Sequence, residues 1–410
     1  MRLPKLSGKI FYGWWVLLAC ALIQFYFGGT FFQGFTAIFN PITEEFGWSY
    51  ALVSLAFTFR GFESGVLAPL VGFFVDKLGA RRMLFSGVIV MCLGFWLFSR
   101  INSLWTFYAV FLLLSLGLSL ASGVVTMTAV AGWFQKRRSL AMGILTAGFG
   151  ASGILVPAVV WFVDKLDWRG ALATFAIGGL LLGIPMSLLV RKAPSEVDSS
   201  PVVEKQSPKG TKSSESGQVK EVLKNRNFWF LSLAVMFGGL AGLAITVHQM
   251  PYMASIGISR QTASFLVVIL ALANTTGRMV FGWLGDVLDK RLCFVISTVV
   301  KALGVLGFAF STNIAQFVPT MIIMGIGFGG LIPLRPILQI EFFGMKSFAV
   351  IQGLLMAALT AGSIVATPFA GWIYDTLGNY RLAFIILGII TLAAVPLIMV
   401  TSKKVSPGVS

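Results

Sequence analysis

Residues Gly72-Phe-Phe-Val-Asp76-Lys-Leu-Gly79-Ala-Arg81-Arg82 return 210 positions later as Gly282-Trp-Leu-Gly-Asp286-Val-Leu-Asp-Lys290-Arg291. Each stretch is a polar turn between two long apolar runs, and the same offset carries Gly143 onto Gly353. An offset of 211 carries Pro157 onto Pro368 and Asp164 onto Asp375. Matching pairs at one spacing are the trace of a duplication, so the chain reads as two copies of one unit.

Outward from those turns the sequence is apolar in runs of about 20 residues, the length of a helix that crosses a bilayer core. Of the 410 residues 57% are hydrophobic and 11% charged. A soluble domain carries about 25% charged residues, so a water-soluble enzyme is excluded. Twelve such runs are present. Between the sixth and seventh, residues 191–226 are rich in Ser, Lys and Glu and poor in large apolar side chains, the composition of a flexible linker. The expected architecture is an all-α membrane protein with twelve transmembrane helices: six in residues 1–190, the linker 191–226, and six in 227–410. The basic start Met1–Lys9 leads into a run too long for a signal peptide, so it is read as a retained first span.

The net charge of +16 raises a nucleic-acid partner, and the placement of the charges argues against one. With the N-terminus in the cytoplasm, 22 of the 31 Lys and Arg fall on the cytoplasmic side. The opposite side holds only Arg100, Lys165, Arg169, Arg260 and Arg381. That asymmetry is the positive-inside rule. It places both termini in the cytoplasm, makes the lipid bilayer the partner, and leaves nucleic acid without a role.

Chemistry-bearing motifs are sparse. No HExxH, G-x-S-x-G or Walker sequence occurs, and a lone histidine cannot build a multi-His metal site. Gly325-Ile-Gly327-Phe-Gly-Gly330 matches a dinucleotide fingerprint by letters alone, inside an apolar run with no strand before it. Cys20, Cys92 and Cys293 lie far apart in apolar runs and read as buried structural thiols. Neither enzyme activity, cofactor nor metal is expected.

The turn at Gly72–Arg82 resembles the signature loop of the major facilitator superfamily, and Gly282–Arg291 is its weaker counterpart. By that resemblance Gly72, Asp76, Arg81, Arg82, Asp286 and Arg291 form a cytoplasmic gate, in which an Asp faces Arg across a tight turn. Trp133-Phe134-Gln-Lys136-Arg137-Arg138-Ser-Leu140-Ala141-Met-Gly143 is similar to the fifth-helix signature of the monocarboxylate transporter family. Tyr12-Gly13-Trp14-Trp15 is similar to that family's opening, without the leading acid, and Arg335, Glu341 and Phe343-Gly344 also fit. The resemblance implies a secondary transporter in the cell membrane that moves a small monocarboxylate, with protons, as a monomer.

A cation inside a span costs about 3 kcal/mol unless it is paired or faces water, which marks it as functional by default. Four occur: Arg60, Arg278, Lys301 and Arg335. Arg60 and Glu63 share a helical face and can neutralise one another, as a structural pair or in proton handling. Arg335, near Glu341 and the basic rim, is read as structural, and Lys301 as snorkelling or held between helices. Arg278 differs. No acid precedes Asp286 in its run, and its repeat partner is Ala68, so the charge breaks the symmetry of the halves. Its planar fork suits a carboxylate, and the resemblance implies the same role.

Two departures from the family pattern bear on coupling. Asn274 stands where the family in animals has an Asp proton carrier, and Gln33 aligns where a Lys is usual; both are kept as substrate-binding candidates. A proton would need another carrier, with Glu63, His248 or the substrate itself as candidates. His248 reads either as a polar residue at the outer helix end or as a gate and relay. With one unpaired cavity cation, and no Lys in the eleventh run where oxalate carriers of this kind place one, a monoanion is expected rather than a dicarboxylate.

Overall fold

The computed structural model describes residues 11–57, 71, 73–75, 77–134, 138–192, 224–343 and 348–401, with backbone alone at 138–140, 286 and 348–350. The bilayer core offers no water to pair free N–H and C=O groups, so apolar runs must satisfy them within helices. Among the described residues ten helices are long and apolar enough to cross a membrane. One of them, Ala141–Leu189, has 49 residues, about 74 Å at 1.5 Å per residue, far more than one crossing needs. It folds back at Asp167, whose backbone (φ 62, ψ 165) is not helical, and so supplies the fifth and sixth spans. The second run is helical at 50–57, 71, 73–75 and 77–78, and the rest of it lies outside the described residues. The described helices thus account for eleven of the twelve runs read from the sequence and for the ends of the remaining one.

The remaining helices follow the apolar runs. The first runs Gly13–Phe27, loosens into a π turn at Gly28–Gln33, and resumes as Phe35–Phe46. The third is Ala80–Phe98 and the fourth Leu104–Trp133. The seventh is Arg226–Ser255, the eighth Arg260–Val287, the ninth Lys290–Phe310 and the tenth Ile314–Phe343. The eleventh is Phe348–Leu377 and the twelfth Arg381–Val400. The eighth and ninth begin with Ser259 and Asp289, whose side chains accept from otherwise unpaired backbone N–H groups.

Small residues set the packing, as van der Waals fit between helices requires where lipid supplies no hydrophobic drive. The third and fourth helices meet at Gly117, where an added Cβ would lie 2.8 Å from the Met91 nitrogen. The ninth and tenth meet at Gly327, where it would lie 2.3 Å from the Lys301 nitrogen. Both residues of the second contact stand 210 positions after those of the first, so the duplication is visible in the packing.

An even number of crossings returns the chain to its starting side, here named the terminal face; the other is the far face. One buried cluster is continuous across both halves toward the far face, joining Phe35, Phe39 and Phe57 to Val247, Met250 and Tyr380. Near the terminal face the core splits in two, one cluster around Val16, Leu84 and Trp133 and another around Phe228, Phe294 and Leu338. Two carboxylates tie the halves at the far face. Asp375, ending the eleventh helix, accepts from the N–H groups of Tyr50 and Ala51 at 2.9 Å each, where the second helix begins. Asp164, ending the fifth, pairs with Arg260 at 2.8 Å, where the eighth begins. Asp164 and Asp375 are one of the repeated pairs, so a single clamp is built twice.

Candidate functional site

Arg278 lies about 27 Å along the eighth helix from Arg260, at 1.5 Å per residue. One turn earlier, Asn274 accepts from its Nε at 3.0 Å, so the two share a face as their spacing requires. Its Nη1 crosses between the halves and donates to the Thr146 carbonyl of the fifth helix at 3.2 Å. The guanidinium lies against Gly150, where a Cβ would sit 3.1 Å from its central carbon. Close approach of the eighth and tenth helices, through Gly277, Gly325 and Gly329, fixes the backbone behind it. Among the described residues no carboxylate pairs with Arg278.

Gln33 reaches the fifth span at Gly153, three residues beyond the Gly150 that the arginine lies against. It ends the π turn of the first helix, and its Nε2 lies beside Gly153, which packs on Ala271. Ala271 is about 10 Å nearer the far face than Arg278 along the same helix. Phe32, its neighbour, is the residue of that turn that enters a cavity.

His248 is fully buried. Its Nε2 lies 3.0 Å from the Thr367 carbonyl and must donate there, so Nδ1 accepts from the Tyr380 hydroxyl at 3.1 Å. Both ring nitrogens are satisfied in the neutral form. The ring packs on Phe39 of the other half, beneath the Tyr50–Tyr374–Tyr380 stack at the far face. Thus the histidine sits at the outer end of its helix but is sealed from water. Glu63, Arg60, Gly72 and Asp76 lie outside the described residues. Arg81 and Arg82 are exposed at the start of the third helix. Arg291 donates to the Thr401 carbonyl and lies 4.7 Å over the Phe342 ring, which ties its own half together; the side chain of Asp286 is outside the description.

Arg335, read as scaffold from the sequence, also lines a cavity, and of the two readings of Lys301 the structure takes the one that holds it between helices. Glu341 takes Lys290 at 3.5 Å rather than Arg335. Arg335 instead lines a cavity of about 240 Å³ between the first, seventh, tenth and eleventh helices, with Phe32, Gly239, Thr246, Phe328 and Thr360. Its Nε donates to the Leu331 carbonyl one turn back, turning the guanidinium away from the terminal face. Its Nη1 is buried with no hydrogen-bond partner among the described residues. Lys301 does not snorkel. It is fully buried, donates to the Gly238 carbonyl at 2.7 Å, and lies 4.8 Å over the Phe328 ring. The signal for Arg335 was present in its position 57 residues after Arg278 on a neighbouring helix, but only the packing shows that both face inward.

Residues 15–253 and 239–409 match the Major Facilitator Superfamily. The chain belongs to this superfamily. It is therefore a multi-pass membrane transporter and not an enzyme. The chain is 26% identical over 413 residues to monocarboxylate transporter 12 of Mus musculus, covering 92% of this chain and 82% of that protein. It is 28% identical over 391 residues to the oxalate:formate antiporter of Oxalobacter formigenes, covering 93% and 89% respectively. In structure it is similar to the nucleoside transporter NupG, with a TM-score of 0.77 at 14% identity over 94% of this chain and 99% of that one. The superfamily fold is thus the one the sequence resemblance implies.

Proposed function

We propose that the protein is a secondary transporter of small organic anions of the monocarboxylate class, such as lactate or pyruvate, in the cell membrane. Arg278 binds the carboxylate, and the terminal face is cytoplasmic. The observation that carries this reading is the guanidinium of Arg278, inside the membrane, oriented by Asn274 and facing no described acid. A cation inside the membrane without a counter-charge is costly, and its planar fork donates two parallel hydrogen bonds to a carboxylate. The likeness to a monocarboxylate transporter and an oxalate:formate antiporter supports the substrate class.

The mechanism follows from where Arg278 is spent. Its Nη1 donates to the Thr146 carbonyl of the other half. That bond uses one of the two Nη1 N–H groups, and a carboxylate can take the other together with one from Nη2. The Thr146 tie therefore orients the fork for the substrate without blocking it. Rocking of the halves about the site completes alternating access. Protons travel with the substrate, with Glu63 or the substrate itself as carrier.

Exchange of organic anions without net proton coupling is the second reading. It is favoured by Asn274, which cannot titrate beside Arg278, and by His248, whose nitrogens are both occupied. Labelled lactate uptake by purified protein in liposomes separates the two. Accumulation driven by an inward proton gradient supports symport; uptake only into liposomes preloaded with an organic anion supports exchange; no uptake of any small carboxylate rejects the substrate class.

A further inference from the structure

The far face carries few cations, and two of them are answered by acids: Arg260 by Asp164 and Arg169 by Glu45. Arg100 is not. It is exposed two residues past the end of the third helix, lies 5.6 Å over the Trp96 ring, and meets no carboxylate among the described residues. It borders a cleft of about 510 Å³ between the end of the third helix and the start of the sixth span, with Trp96, Asn102, Arg169, Gly170 and Ala173. Arg169 spends Nη1 on Glu45 and one Nη2 hydrogen on the Ile101 carbonyl at 3.2 Å. Its Nε and the second Nη2 hydrogen are left over among the described residues. No acid is among the described residues that line the cleft.

The cleft stands at the level of the lipid headgroups. Trp96, Trp105 and Trp161 are exposed near the same far-face turns, and tryptophan collects at the edge of the bilayer. Toward the middle of the membrane the third helix and the sixth span close on one another. A Cβ added to Gly179 would lie 2.7 Å from the Cys92 Sγ, and one added to Gly183 would lie 2.7 Å from Val88. By helical spacing exposed Ile89 and Leu93 share a face with Trp96, and exposed Ile177 and Leu181 share one with Ala173. Two apolar ridges therefore flank a shallow seam that runs down from the cleft.

We propose that this cleft binds an anionic phospholipid of the far leaflet, its phosphate on Arg100 and Arg169 and its acyl chains along the seam between the third helix and the sixth span. Guanidinium forks match phosphate oxygens in geometry as well as charge, and basic pockets between membrane helices take lipid headgroups. The charges fit. Arg169 and Glu45 cancel, so Arg100 leaves one positive charge for the single negative charge of a phosphodiester. A zwitterionic headgroup would bring an ammonium to a lining without an acid, which selects an anionic one. The apolar seam selects a lipid over a soluble phosphate. Once bound, the phosphate joins the end of the third helix to the sixth span beside Glu45 of the first, bracing the far end of the N-terminal half. The site is separate from Arg278, which belongs to the other half, and does not depend on the transported anion.

The test is native mass spectrometry of the purified full chain in detergent, titrated with phosphatidylglycerol or with phosphatidylethanolamine of the same acyl chains. Wild-type protein should hold one phosphatidylglycerol adduct more tightly than any of phosphatidylethanolamine. In Arg100→Gln the affinity for that adduct should fall by about 10-fold, the worth of a charge-assisted hydrogen bond. Arg100→Lys should keep part of it. Ala173→Trp fills the cleft with the charges intact and should lose the adduct as well. Lys192→Gln, an exposed cation toward the terminal face, should leave it unchanged. An adduct as tight in Arg100→Gln as in wild type would overturn the site, and so would equal loss in Lys192→Gln, which would assign the lipid to the basic rim. Equal binding of the two lipids would overturn the anionic headgroup. Displacement of the adduct by excess inorganic phosphate would make this a soluble-anion site and overturn the lipid.

Discussion

Where the C-terminal half holds a membrane cation, the N-terminal half holds an apolar residue 210 positions earlier: Ala68 for Arg278, Met91 for Lys301, Val125 for Arg335. The exchange also runs the other way, since Arg60 and Glu63 are followed at the same offset by Leu270 and Ala273. Yet the packing is shared, with Gly117 on Met91 in one half and Gly327 on Lys301 in the other. Duplication therefore preserved the positions that set helix contact and released those that face the cavity. Scaffold must be repeated for both halves to fold alike; a substrate charge needs to be made once.

That contrast can be broken by carrying the charge across. Met91→Lys places an ammonium in a fully buried position whose surroundings, unlike those of Lys301, evolved around a thioether. An unpaired buried charge costs about 3–5 kcal/mol, so folded yield should collapse, read by size-exclusion profile and thermal melt. Near-normal yield would mean that the halves differ less than their sequences do.

Packing is the next lever. Gly327→Ala drives a methyl into the Lys301 backbone, and overpacking of this kind costs about 1–3 kcal/mol. Gly117→Ala should cost a comparable amount in the other half, and a melting temperature lowered by only one of the two would refute the shared contact.

Smaller effects are expected at the far-face clamps, which differ in strength. Asp375 accepts two backbone N–H groups at a helix start, worth about 1–2 kcal/mol as a cap. Asp375→Ala should loosen the far face, seen as faster labelling of a cysteine placed at Tyr50. The Asp164–Arg260 pair leaves 44% and 35% of its side chains exposed, and exposed ion pairs give under about 1 kcal/mol. Asp164→Ala should therefore change that labelling least, and an order reversed between the two would refute the ranking of the clamps.

Much of this was legible in the sequence because the deciding signals are local. Span length, the basic asymmetry and the repeated turns each reflect one stretch of chain meeting one solvent, and the four-residue spacing of Asn274 and Arg278 places them on one face without further knowledge. The π turn at Gly28–Gln33, which changes the register of the first helix, was not legible from an alignment on Phe39 and Phe46. Arg335 escaped for another reason: Glu341, six residues on, had two cations in reach and took Lys290. The cavity that Arg335 lines draws walls from helices more than 200 residues apart. Choices between partners and walls built from distant helices are properties of the packed chain.

The central claim is that Arg278 binds the transported carboxylate through its fork. Its most direct test is uptake of labelled carboxylate by Arg278→Lys and wild-type protein in liposomes at matched amounts of folded protein. Lysine keeps the charge and removes the two-point geometry, so uptake should fall by about 100-fold, as loss of a charged hydrogen-bond pair implies. Uptake close to that of the wild type would contradict the account.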